Sequence, residues 1–190
     1  MVMLAFLGIL SGLIFLIADI PYIRDILKGK TKPHRVSWFL YFVLNSVNIA
    51  NQAASGATNS LWLPVVSAIV TFFIFAMAIK RGMGGYEKLD LVCLVGALLG
   101  IVLWVVFDNP LASTICNILA STLAVAPTIK KSILHPSTET KITYLIGSIS
   151  GLIAALSVGS WILSLLILPL HGFLVQIIIY GILIRPTAKK

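Results

Sequence analysis

Apolar residues in this chain run in seven long blocks, broken by short polar connections. The blocks cover 3–20, 37–54, 61–79, 89–107, 110–126, 142–158 and 161–184. Each is close to the ~20 residues that an α-helix needs to cross ~30 Å of hydrocarbon. None shows the period-two alternation of a lipid-facing strand, so a barrel is not expected. Chain-breaking residues mark several joins: Gly82, Gly84 and Gly85, then Asp108-Asn109-Pro110, then His135-Pro136-Ser137. Within the second block the polar residues Ser37, Tyr41, Asn45, Asn48 and Gln52 recur at three- and four-residue spacing. That spacing puts them on one face of a helix. The pattern predicts an all-α integral membrane protein with seven transmembrane helices.

Composition agrees. Of 190 residues, 59% are hydrophobic and 11% charged, against about 25% charged in a soluble domain. The blocks fill nearly the whole chain and leave no room for a soluble domain. The first block has no Lys or Arg ahead of it and ends at Asp19, so it reads as a retained helix rather than a cleaved signal.

Charge adds a direction. With seven spans, all 14 Lys and Arg fall in alternate connections or after the last helix. Arg24, Lys28, Lys30, Lys32 and Arg35 follow the first span, and Lys80, Arg81 and Lys88 follow the third. Lys130, Lys131 and Lys141 follow the fifth, and Arg185, Lys189 and Lys190 close the chain. The opposite connections carry only Asp108. The positive-inside rule makes the basic side cytoplasmic, with the N-terminus outside and the C-terminus inside. The expected location is a multi-pass plasma membrane, a bacterial inner membrane given the short loops. A net charge of +8 is accounted for by anionic lipid headgroups as partners, and nucleic acid is not expected. A homo-oligomer is compatible with the chain.

The chain also repeats itself. Shifted by 106 positions, Ala18-Asp19-Ile20-Pro21-Tyr22-Ile23-Arg24 falls on Ala124-Val125-Ala126-Pro127-Thr128-Ile129-Lys130. Arg35-Val36-Ser37-Trp38 falls on Lys141-Ile142-Thr143-Tyr144, and after a one-residue gap Pro64, Thr71 and Lys80 meet Pro169, Gln176 and Arg185. The repeat unit is three helices, and the fourth helix has no counterpart. Because three is odd, that helix restores the orientation of the second copy. The expected organisation is a first three-helix repeat over 1–80, a linker with an inversion helix over 81–108, and a second repeat over 109–190. The result is a 3+1+3 fold of two parallel three-helix bundles.

This order resembles the SWEET and PQ-loop (MtN3/saliva-like) superfamily: a proline ends the first helix of each triple, and a basic loop follows. The chain has Pro21-Tyr22 and Pro127-Thr128 where that superfamily has Pro-Gln, so both glutamines are missing. The resemblance implies a transporter of small polar solutes, a sugar among them, working by alternating access. It allows facilitated or proton-coupled transport. One branch of the superfamily consists of receptors, so the alternative is a non-transporting membrane receptor or assembly protein with the same fold.

Polar groups inside a membrane are costly and need a reason. Asn45, Asn48 and Gln52 offer paired donors and acceptors for a solute, or hydrogen bonds between helices. Asn117 and Ser121 share a face of the fifth helix, and His171 lies mid-way along the seventh; these are candidates for the same lining. The sixth helix has Thr143, Gly147, Gly151 and Ala154 at the positions equivalent to the polar stripe, which supply space rather than hydrogen bonds. Gly8/Gly12, Gly96/Gly100 and Gly147/Gly151 are spaced for close helix packing. Asp19 opposes the helix dipole at the end of the first span, so it is expected to pair with Arg24 or Arg35, or to serve as a gate or proton carrier. Pro21 and Pro127 free the carbonyls of Ile17 and Leu123. They act either as paired hinges or as helix ends. Trp38, Tyr144, Trp62 and Trp161 read as interfacial belt residues. Cys93 and Cys116 read as apolar packing residues. No catalytic constellation, metal motif or cofactor site is present in the pattern, and no enzyme activity is expected.

Overall fold

The computed structural model describes residues 2–54, 56–85, 87–106, 110–159 and 161–185. Asp108, Asn109, Lys189 and Lys190, used above for the joins and the charge count, lie outside the described residues. Among the described residues the structure is all-α. Seven α-helices follow one another: α1 (Val2–Leu27), α2 (Arg35–Ala54), α3 (Trp62–Arg81), α4 (Lys88–Val106), α5 (Pro110–Leu134), α6 (Lys141–Ser157) and α7 (Leu163–Leu183). Two short 3₁₀ turns, Asn59–Leu61 and Pro136–Thr138, precede α3 and α6.

Three segments, Val2–Leu27, Asn59–Arg81 and Leu165–Leu183, are long and apolar enough to cross a membrane. The outer faces expose Phe6, Leu13, Phe73, Leu99 and Leu174. A continuous apolar exterior of this kind suits lipid rather than water.

The apolar-run boundaries place most helix ends to within about three residues, but α1 and α5 are longer than expected. Both proline residues sit inside their helices, which continue to Leu27 and Leu134. The reading in which each proline terminates its helix is therefore corrected. A missing N–H is tolerated within an apolar helix where neighbouring elements restore the local bonding. The added turns of α1 bury Tyr22 and Ile26 completely, so packing extends a helix that the polar residues after Ile20 would have ended.

Contacts between helices close into a ring. α1 packs on α3, α3 on α2, α2 on α5, α5 on α7, α7 on α6 and α6 back on α1. α4 packs mainly on α5 and touches α2. Small residues set the closest approaches. A Cβ on Gly147 would lie 2.4 Å from the Gln176 amide nitrogen, and one on Gly8 would lie 2.0 Å from the Asn59 carbonyl oxygen. Gly12, Gly96 and Gly151 also lie against neighbouring segments, while the surroundings of Gly100 lie outside the described side chains.

The connections 28–34, 82–85 and 135–140 meet at one end. Arg35 N–H donates to the Met83 carbonyl at 3.0 Å, and Lys32 N–H donates to the Thr138 carbonyl at 3.2 Å. The Thr140 hydroxyl donates to Asp25 at 3.0 Å. Thr31 donates in turn to Thr140 at 2.7 Å. This end carries the basic residues.

Candidate functional site

Inside the ring lies a cavity of about 190 Å³. All six ring helices line it. From α2 come Tyr41, Asn45 and Asn48, from α3 Ser67 and Thr71, and from α5 Asn117 and Ser121. α1 contributes Phe15 and Asp19, α6 Thr143 and Tyr144, and α7 His171 and Gln176. Most of the polar stripe of α2 therefore opens on this space, but not all of it. Ser37 is fully buried and Gln52 stands behind the lining. The Ser60 hydroxyl donates to Gln52 Oε1 at 3.2 Å, and Gln52 Nε2 donates to Asn48 Oδ1 at 3.0 Å. With its oxygen engaged, Asn48 has its NH₂ left to offer as a donor. Gln52 orients this group and is not itself part of the cavity wall.

His171 faces α5. Its Nδ1 lies 3.3 Å from Ser121 Oγ and its Nε2 lies 3.1 Å from Thr122 Oγ1. Both hydroxyls also reach the Ile118 carbonyl, at 3.0 and 2.8 Å. The imidazole is thus clamped across the α5–α7 contact while its ring borders the cavity.

Asp19 differs most from expectation. It is 2% exposed, and its Oδ2 accepts no hydrogen bond among the described residues. Neither expected cation reaches it. Arg24 is five residues on, roughly 140° around the helix, and is exposed. Arg35 instead donates to the Gly84 carbonyl at 3.0 Å. The dipole argument also lapses, because α1 continues for two turns beyond Asp19 and the effect is confined to the last turn.

Trp38, Tyr41 and Tyr144 line the cavity together with Asp19, and Tyr22 packs against Trp38 and Tyr144. The Trp38 and Tyr22 rings lie 5.1 Å apart, and Trp38 Nε1 donates to the Tyr22 hydroxyl at 3.3 Å. Tyr144 meets Tyr22 edge-on at 6.4 Å, and Tyr41 meets Trp38 edge-on at 5.5 Å. Trp38 and Tyr144 are each 6% exposed, which corrects their reading as belt residues. Their signal was the repeat itself, since they are equivalent positions. Trp62 and Trp161, by contrast, are exposed.

Behind the aromatics lies a buried ion pair that the sequence did not suggest. Lys131 of α5 pairs with Glu139 in the connection before α6. The Tyr144 hydroxyl donates to Glu139 Oε2 at 2.8 Å, and Lys131 also donates to the Lys32 carbonyl. Beside this pair, His34 Nε2 lies 3.3 Å from Asp90 Oδ1. Asp90 Oδ2 accepts from the N–H groups of Gly85 and Glu87 at 2.7 and 3.2 Å. Burial holds the His34 imidazole below its ordinary protonation range despite Asp90. Gly84 leaves room for this imidazole: its φ is +73°, and a Cβ there would lie 2.1 Å from His34 Nε2. Pro127 borders the small cleft of about 80 Å³ beside these groups. Its partner in the repeat, Pro21, is half-buried on α1.

Gln176 escaped the sequence reading as a lining residue. Its equivalence to Thr71 marked it, since both line the cavity. Asn51, outside the stripe, donates to Thr114 of α5 at 2.9 Å and joins helices rather than facing the space. Among the described residues no group of three or more His, Cys, Asp or Glu could hold a metal ion. No protein-family model, curated protein or solved structure matches the chain.

Proposed function

We propose that the chain is a multi-pass membrane transporter that moves a small polar solute between two three-helix bundles by alternating access. One observation carries this reading: a cavity with amide and hydroxyl groups on its wall, enclosed by helices of both halves. The order of contacts supports the 3+1+3 plan. α1–α3–α2 and α5–α7–α6 are the same sequence of neighbours, α1–α6 and α5–α2 are equivalent joins, and α4 packs outside the ring. This is the arrangement that the resemblance to the SWEET and PQ-loop superfamily implies.

At about 190 Å³ the cavity lies below the ~300–1,000 Å³ of sites for drug-sized ligands, which favours a small solute. Asn45, Asn48 and Asn117 replace its hydration, and Gln52 and Ser121 hold Asn48 and His171 in place. On the basic side, which faces the cytoplasm of a bacterial inner membrane, the aromatic cluster and the Lys131–Glu139 pair close the path. Opening there requires α1 and α2 to part from α5 and α6. Pro21 and Pro127 lower the bending cost at matching points of the two bundles. The cycle runs as facilitated diffusion or is coupled to protons through Asp19 or His171.

In proteoliposomes, Asn48→Ala is expected to lower uptake of a transported probe at least about tenfold, the equivalent of one lost hydrogen bond in a dry site. Membrane insertion should stay as in the wild type, with a modest fall in melting midpoint from the lost Gln52–Asn48 hydrogen bond. Undiminished uptake would remove Asn48, and with it the α2 wall, from the path.

A further inference from the structure

The cavity contains an acid with no cationic partner among the described residues. Asp19 borders the space, is 2% exposed, and has an oxygen with no partner among the described residues. None of the ion pairs among those residues involves it. Among the described residues the cavity wall has no Lys or Arg, and both ring nitrogens of His171 lie against α5 hydroxyls. A carboxylate removed from water without a counter-charge is costly. The chain has 14 Lys and Arg side chains, yet none of the described ones pairs with this position.

The surroundings of Asp19 suit a cation. Trp38, Tyr41 and Tyr144 line the same cavity, and aromatic faces attract ammonium groups more strongly where water is excluded. The other polar lining groups, Asn45, Asn48, Asn117 and Gln176, are neutral and suit the hydroxyl or carbonyl groups of a solute. We infer that the cavity takes a small amine-bearing solute, its ammonium paired with Asp19 and its remaining polar groups set against these amides. The inference rests on reading the cavity as a solute site and specifies what that site prefers.

The test uses the full chain in lipid nanodiscs at constant pH and ionic strength. Thermal-shift titrations compare two matched pairs, glucosamine with glucose and ethanolamine with ethylene glycol, and include sodium chloride as an inorganic-cation arm. In at least one pair the amine is expected to bind at least about tenfold tighter than its neutral partner, and Asp19→Asn should bring it to the neutral level. Equal binding within both pairs would overturn the inference, as would an amine preference that survives in Asp19→Asn. So would sodium giving the same stabilisation, or Asp19 serving only as a proton site, which gives no amine preference. Should Asp19→Asn fail to fold, the matched pairs in the wild type decide alone. The two readings fail separately. Uptake of the neutral probes without amine preference would leave transport and remove the amine. Amine binding lost in Asp19→Asn, with no probe taken up, would leave the site and remove transport.

Discussion

The acids of this protein fall in two regions with opposite treatment. At the basic end each described acid has a partner: Asp25 has Thr140, Glu87 has Lys130, Asp90 has His34 and two backbone N–H groups, and Glu139 has Lys131 and Tyr144. In the cavity, Asp19 is as well buried as Asp90 and has an oxygen with none. A buried acid held by a cation or by hydrogen-bond donors from another segment holds connections together. One left open beside a cavity has no structural gain to set against its desolvation. The difference separates the part of the molecule that maintains the fold from the part proposed to meet a solute.

The comparison can be broken at three depths. Glu139→Gln strands Lys131 in a site where both side chains are nearly inaccessible. Removing one partner of a buried pair costs about 3–5 kcal/mol, so the melting midpoint should fall by several degrees, the largest effect expected. A shift no greater than that of a surface substitution would show that the pair is solvated. Lys130→Ala removes the same kind of pairing from Glu87, but there the side chains are 44% and 61% exposed. An exposed, solvent-screened pair contributes little, and the midpoint should move by a degree or two at most. Asp19→Asn should lower stability least of all, or raise it, because it replaces a buried carboxyl group, one oxygen of which lacks a partner. A loss as large as that of Glu139→Gln would mean that Asp19 is a structural acid, and the contrast would fail.

Much of the helical organisation was readable because it depends on local pattern. Apolar blocks mark the helices, and three- and four-residue spacing picks out the face of α2 on which Tyr41, Asn45 and Asn48 border the cavity. What escaped depends on contacts between segments far apart in the chain. Nothing near Lys131 points to Glu139 across a turn, or near His34 to Asp90 two helices later. Position in a block also misled. Trp38 and Tyr144 lie near predicted span ends, where aromatic residues usually meet headgroups, but here they turn inward and floor the cavity. Asp19 was assigned a cation from the helix dipole and from Arg24 and Arg35 nearby in sequence, although the helix runs on past it and its period carries Arg24 to another face. The helix ends at Leu27 and Leu134 were missed for a related reason. Polar residues ended the apolar blocks, while burial of Tyr22, Ile26 and Pro127 at the basic end carried the helices further.

The central claim is that solutes reach the space between the two sets of helices. Solvent accessibility of a single introduced thiol tests it most directly. With Cys93, which is buried, and Cys116, which is half-buried, replaced by Ala, Asn48→Cys would be placed in membrane vesicles of each orientation. It would then be exposed to a membrane-impermeant thiol reagent. The account predicts reaction from either side of the membrane, slowed by a solute that the cavity binds. A thiol that reacts only after denaturation would contradict it, because the asparagine face of α2 would then be sealed packing between helices.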